Sequence, residues 1–361
     1  MKTSLFGCKP RVISVCQRKR NGERTKVNTR FIFGFFSSIY THYPGTCRGL
    51  PGIVDGSEDI VVTSTGLAFI SSGALQILEQ SPSIVGRIFL FDFSHPDEDP
   101  EEVTVEGGGI HDNGWIPLGM DVWESGPKDK PTFTLYVVNR KEGDIGIEVF
   151  DLMRRNKKPI LKHKRKITHQ NIWSPNDLVL VGDDRFYVTN DAYFPKPVDN
   201  LELILGLEVG SVAYYDVGEA RIVKTGIGVA NGINVSPDKK LLYVAAATEN
   251  KIYVYRVNAD GSFTQVQVIA LATMPDNIDV DKDDGSLWVG CHPSIYAVFN
   301  KAGFGQILKI NLDSALNYTI REVFADDTGM IQGSSIACRH GDAIIIGTAL
   351  AKAAYCELLT F

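Results

Sequence analysis

Oxygen-bearing side chains recur in this chain at one place in a repeating pattern. They stand at Glu58-Asp59, Asn176-Asp177, Asn231-Gly232 and Asp276-Asn277. Each pair is followed by an aliphatic residue, a short β-branched or aromatic run, a turn and a second such run. Two further copies, Leu118-Gly119-Met120 and Ser334-Ser335-Ile336, keep the pattern with other side chains. The six starts lie 60, 58, 55, 45 and 58 residues apart. Carboxylates and amides brought together out of water are costly unless something pairs them. A hard cation does so. Calcium takes six to eight oxygens from Asp, Glu and Asn side chains, carbonyls and water, in flexible geometry. Glu58, Asn176, Asn231, Asp276 and Asn277 form such a donor set, two carboxylates and three amides. An Asn or Asp opening a strand is ordinarily a turn residue. The recurrence in register favours the metal reading.

The elements that would position these residues are strands. Runs such as GLAFIS, TLYVVN, RFYVTN, LLYVAA, SLWVGC and AIIIGT each follow one copy, and no long helical period intervenes. A repeat near fifty residues with several strands per copy is the signature of a propeller blade. The expected fold class is therefore all-β, a six-bladed β-propeller with a central calcium-binding tunnel. The residues opening the innermost strands, Glu58, Leu118, Asn176, Asn231, Asp276 and Ser334, are expected to form a ring at one mouth.

The composition is that of a globular chain: 361 residues, 44% hydrophobic, 22% charged, net charge −6. The negative balance argues against a nucleic-acid partner. No run of 18 apolar residues marks a standard span. Residues 1–44 differ from the rest, with nine Lys or Arg and one acid before residue 31, then the apolar FIFGFFSSIY. They read as a targeting or membrane-associating segment, whether signal, transit peptide or uncertain start, ahead of a propeller over 45–361. None of the six cysteines forms a CxxC pair. Cys291, inside LWVGC, reads as a buried strand thiol.

GSEDI with GLAFISSG, NDLVLVG, FYVTND, ANGINVSPD, DNIDVD, LWVGCHP, IQGSS and YCEL resemble the paraoxonase/arylesterase family in order and spacing, from about Cys47 to Leu358. The resemblance implies a six-bladed propeller with two calcium ions and hydrolysis of aryl esters and lactones. It assigns the catalytic ion to Glu58, Asn176, Asn231, Asp276 and Asn277, and a structural ion to Asp59, Asp177 and the Met120 carbonyl. It also implies a Cys47–Cys356 disulfide, hence an oxidising compartment, and a free thiol at Cys291. The expected location is secreted or membrane-associated and extracellular, with a membrane or lipoprotein surface as a partner. The sequence departs from the family at its proposed histidine base and partner, where Leu118 and Arg140 stand. It also lacks the Tyr-Pro-Gly stretch after Ser72 and has Ala351 where the family often has histidine.

With that pair replaced, candidates for activating water are His111, on a loop seven residues before Leu118, and His292 in GCHPS. Glu58 or Asp276 could serve as both ligand and base. No G-x-S-x-G elbow occurs. DVDKDDGS from Asp279 resembles an EF-hand loop but lacks its closing Glu, and reads as a hairpin turn. Asn317-Tyr318-Thr319 is a glycosylation sequon, usable on a secreted chain. The basic run from Met153 reads as a solvated blade edge, with contact to an anionic membrane as the alternative. The competing functional reading is a non-catalytic calcium propeller acting as a membrane-associated binding or chaperone-like protein.

Overall fold

In a computed structural model the described residues are 40–359, apart from 80, 82, 111–113, 195–201, 203, 204 and 294–303. His111 and nearly all of the 1–44 segment lie outside them. The described chain forms six antiparallel sheets arranged as a β-propeller. Blade 1 comprises β2 (Ile60–Val62), β3 (Leu67–Ser72), β4 (Arg87–Asp92) and β5 (Glu101–Glu102). Blade 2 comprises β7 (Pro117–Ser125), β8 (Thr132–Asn139), β9 (Gly146–Arg155) and β10 (Lys158–Ile167), with β6 (Thr104–Glu106) parallel on its outer edge. The basic run is the β9–β10 hairpin, and residues 153–155 and 157–158 are exposed. Blade 3 comprises β11 (Pro175–Gly182), β12 (Arg185–Asn190), β13 (Gly210–Asp216) and β14 (Glu219–Ile227).

Blade 4 follows as β15 (Ala230–Val235), β16 (Leu241–Ala246), β17 (Lys251–Val257) and β18 (Phe263–Ala270). Blade 5 is β19 (Met274–Val280), β20 (Leu287–His292), β21 (Gly305–Leu312) and β22 (Tyr318–Asp326). DVDKDDGS is the β19–β20 hairpin, with Gly285 at φ 70°. Blade 6 takes β23 (Gln332–His340), β24 (Ala343–Ala351) and β25 (Ala353–Glu357) from one end of the chain and β1 (Cys47–Leu50) from the other. Cys47 faces Cys356 in that last pairing and is disulfide-bonded to it across 309 residues of sequence. Anchoring starts before β1: His42 bridges Ala325, and the Tyr43 hydroxyl donates to Asp326 at 3.0 Å.

Strand alternation explains where the core lies. Successive side chains point to opposite faces of a sheet, and here both faces of each blade meet a neighbouring blade. Leu178 packs with Leu118 and Val138 of blade 2, while Val179 packs with Ile233 and Leu242 of blade 4. The same division gives one apolar cluster at each junction between blades.

The innermost strands carry a shared irregularity. Between Pro117 and Met120 the inner strand advances three residues while its partner advances two, from Asn139 to Val137. The same extra residue occurs between Pro175 and Leu178, Ala230 and Ile233, and Pro275 and Ile278. In blade 6 the register shifts on both sides of Ser334. Each is a β-bulge, which frees residues from the ladder and re-aims their side chains. In blade 1 the corresponding Glu58 and Asp59 lie just ahead of β2.

Closing the ring with β1 and a disulfide restricts the unfolded chain more than the folded one. The chain-entropy model gives about 5 kcal/mol for so long a loop, and engineered cases usually return less. A Cys47→Ala/Cys356→Ala variant should therefore fold with a lower Tm, by about 2–5 kcal/mol of stability in a denaturant titration. Unchanged stability would show that β1 pairing alone closes the ring.

Candidate metal centre

The bulges bring the repeated polar pairs to the propeller axis. Glu58 and Asn277 are linked directly: Asn277 Nδ2 donates to Glu58 Oε1 at 2.9 Å and to the Glu58 carbonyl at 3.0 Å. Asp276 Oδ2 meets His292 Nε2 at 2.7 Å, both side chains being buried. Asn176 Nδ2 donates to Asp191 Oδ2 at 3.3 Å.

What these bonds leave over is informative. Glu58 Oε2, Asn176 Oδ1, Asn231 Oδ1 and Asn277 Oδ1 are buried and have no hydrogen-bond partner. Each is an acceptor, and each belongs to the predicted donor set. Buried acceptors are ordinarily paired, so four orphaned oxygens from four blades suit a cation. Among the described residues no group of three His, Cys, Asp or Glu side chains is assembled for a metal; here three of the five donors are amides. Oxygen-only donors suit a hard ion such as calcium rather than zinc or copper.

The second-position carboxylates are used differently. Asp59 accepts from the N–H of Ile60 at 2.8 Å and of Met120, in blade 2, at 2.7 Å. Asp177 accepts from Leu178 at 2.7 Å and from Ile233, in blade 4, at 2.8 Å. Both thus latch neighbouring blades. Asp121 does the same for Leu180 at 2.7 Å, and the Asn234 amide for the Ile278 carbonyl at 2.9 Å. The Cys338 thiol reaches the Ile60 carbonyl at 3.0 Å and joins blade 6 to blade 1. Sequence reasoning missed Asp121, Asn234 and Cys338, although each lies on an innermost strand, where both faces of the sheet are covered.

Two members of the expected ring do not take part. Leu118 is buried in the apolar cluster between blades 2 and 3, with Ile116, Val138 and Leu178. Ser334 is turned towards the neighbouring blade 5, accepting from Gln306 N at 2.7 Å and donating to carbonyls of Gln306 and Cys291. An apolar side chain gains by leaving water, and a hydroxyl finds nearer partners, so the ring is built from the remaining blades. Cys291 is a buried free thiol, pushed well above the usual range by burial.

Glycines make the ring compact. A Cβ on Gly119 would stand 2.4 Å from Asp177 Cα and 2.7 Å from the Asn176 carbonyl. On Gly232 it would stand 2.5 Å from Asn277 Cα and 2.6 Å from the Asp276 carbonyl. Around the axis, Asp59, Gly119, Asp177, Gly232 and Asn277 therefore alternate large and small.

Electrostatics sharpen the same point. Burial, then the neighbouring Asp276, pushes Glu58 well above the usual carboxylate range. Burial and the Asp177 charge do so for Asp59. Burial raises Asp177 to about 8 despite two backbone donors. Without a counter-ion these groups take up protons more readily than free carboxylates do; a divalent cation would compete with those protons.

The chain was compared with known proteins. The family model described as Arylesterase matches residues 39–358. Serum paraoxonase/arylesterase 1 of Homo sapiens is 35% identical over 319 residues, 86% of this chain and 88% of the relative. Serum paraoxonase/lactonase 3 of Mus musculus is 34% identical over 324 residues, 87% and 89% of the two chains. Among solved structures, a luciferin-regenerating enzyme superposes with a TM-score of 0.56 at 12% identity, covering 87% of this chain and 95% of that one. Regucalcin, a calcium-binding protein of Agrobacterium tumefaciens, gives 0.54 at 10%, covering 89% and 96%. These two likenesses concern the fold.

Two outcomes follow from the geometry. Gly119→Ala and Gly232→Ala should each cost about 1–3 kcal/mol, because the added methyl meets backbone. Gly49→Ala, with nothing within 4 Å of the added atom, should change stability by less than about 0.5 kcal/mol. Equal effects in chemical denaturation would refute the close-approach argument. The second outcome concerns pH. The folded, metal-free protein holds protons on Glu58, Asp59 and Asp177 that the unfolded chain releases near pH 4. Its stability should fall as pH rises from about 4 towards 8. Thermal unfolding in chelator across that window checks this, and a rise in Tm would contradict it.

Proposed function

Since the chain belongs to the arylesterase family and is an ester hydrolase, we propose that it acts on aryl esters and lactones in a calcium-dependent way. The observation that carries this reading is the set of four orphaned oxygens, on Glu58, Asn176, Asn231 and Asn277. With Asp276 they would hold one ion at the channel mouth. Bound there, calcium would supply a Lewis acid for the scissile carbonyl oxygen and for the oxyanion that develops on it. A second, structural ion would be held by Asp59, Asp177 and the Met120 carbonyl, where the two carboxylates keep lone pairs beyond their backbone bonds.

The chain's own residues supply the rest. His292 Nε2 faces the Asp276 carboxylate, which orients the ring and selects its tautomer. Its Nδ1 is buried without a partner, and with Nε2 protonated that nitrogen is a free acceptor. We assign it to accept a proton from the attacking water. Leu118 and Arg140 cannot do this: one is core, and the other is a permanent cation paired with Asp191 at 2.9 Å. The buried apolar cluster of Ala247, Met274 and Leu350 lies beside His292, which is paired with Met274, and would suit the acyl or aryl part of a neutral ester.

Family membership and the disulfide support a secreted or extracellular membrane-associated protein. No described helix is long and apolar enough to cross a membrane. Asn317 is exposed at the start of its sequon and would accept a glycan in that compartment. The alternative, a non-catalytic calcium propeller at a membrane or lipoprotein surface, is favoured by the loss of any base at Leu118 and Arg140.

Hydrolysis of phenyl acetate and of γ- and δ-lactones, in calcium and in excess EGTA, separates the two. Calcium-dependent turnover should be lost in Asp276→Ala. His292→Gln should lower kcat by about 10²–10⁴-fold with KM little changed. Calcium binding without turnover on either substrate class would leave the binding-protein reading standing. Full activity in His292→Gln would remove His292 from the mechanism.

A further inference from the structure

Arg140 stands immediately after β8, and its side chain is only 11% exposed. Its Nη1 donates to the Pro175 carbonyl at 3.0 Å and to Asp191 Oδ1 at 2.9 Å. Asp191 Oδ1 also accepts from Ser174 Oγ at 2.7 Å, and its Oδ2 accepts from Asn176 Nδ2 at 3.3 Å. Three residues thus connect a guanidinium in blade 2 to a ring amide in blade 3.

The connection matters because an amide has two unlike ends. Its oxygen can face a cation; its NH₂ group cannot. A carboxylate paired with arginine offers only acceptors, so it selects the NH₂ end of Asn176. Asn176 Oδ1 is then the end left over, buried and unpartnered. Asp191 is fixed in turn by a charge-assisted bond from an arginine that the Pro175 carbonyl also holds. Pro175 directly precedes Asn176, so the guanidinium grips both the backbone and the side-chain partner of one donor.

Resting on the calcium ring proposed above, we infer that Arg140 and Asp191 are positioning residues that set the Asn176 amide and, through it, the affinity for the cation. Neither belongs to the donor set.

Calorimetric titration of calcium into chelator-stripped protein tests this directly. Asp191→Asn lets either end of residue 191 face Asn176, so the amide loses its preferred orientation. The calcium Kd should rise about 10–100-fold, the range typical of partners one shell out from a metal. Ser174→Ala, which removes a bond to Asp191 outside the relay, should stay within about twofold on the same scale. Should Asp191→Asn fail to fold, Arg140→Gln/Asp191→Asn removes both charges together and should show the same rise. Wild-type affinity in whichever of these variants folds would overturn the inference, as would an equal loss in Ser174→Ala. Absence of calcium binding by the wild type would instead sink the ring itself, and the inference with it.

Discussion

Six separate sheets meet at the axis of this molecule, and each presents the unpaired edge of its innermost strand. A polar edge buried without partners costs more than the fold can spare. The inner strands stand apart as six sheets, so backbone-to-backbone pairing does not join them. Side chains do the joining. Asp59, Asp121, Asp177, Asn234 and Cys338 each reach a backbone group of the next blade. Of these, Asp177 lies within a bulge, while Asp121, Asn234 and Cys338 sit in regular ladder register. In blades 3, 4 and 5 the bulge frees Asn176, Asn231, Asp276 and Asn277 from the ladder, so the irregularity serves the donor set of the proposed metal centre.

This division of labour accounts for which polar groups are satisfied. Asp59 and Asp177 have both oxygens occupied by N–H groups. Glu58, Asn176 and Asn277 use only part of their capacity, and the remainder faces no protein group. Were the ring solely structural, those oxygens would be expected to find donors, as Ser334 finds partners in the neighbouring blade 5. Leaving them unpaired costs stability, which is intelligible where a bound ion restores it.

Much of this was legible beforehand, and the failures have physical causes. The repeat and the blade number rest on periodicity, which survives any detail of packing. The six-membered ring did not survive, because position in a repeat says nothing about competition for a side chain. Leu118 had an apolar interface to join, and Ser334 had Gln306 and Cys291 within reach. The latches were missed because a polar residue on an alternating strand normally reads as solvent-facing. In a propeller both faces of the innermost strand are covered. The bulges themselves appear in sequence only as a two-residue step, with glycine at 119 and 232 the one visible trace of how closely the strands approach.

The pairing of His292 with Asp276 bears on how a hydrolase site could work with Leu118 and Arg140 in blade 2. Both residues lie on one blade, at the facing ends of β19 and β20, where Met274 is paired with His292. Their geometry is therefore set within one sheet and is independent of Leu118 and Arg140 in blade 2. Arg140, by contrast, joins blade 2 to blade 3 through Pro175 and Asp191. A charge there can stiffen Asn176 without disturbing a dyad three blades away. The two features are compatible because the propeller assigns them to different sheets.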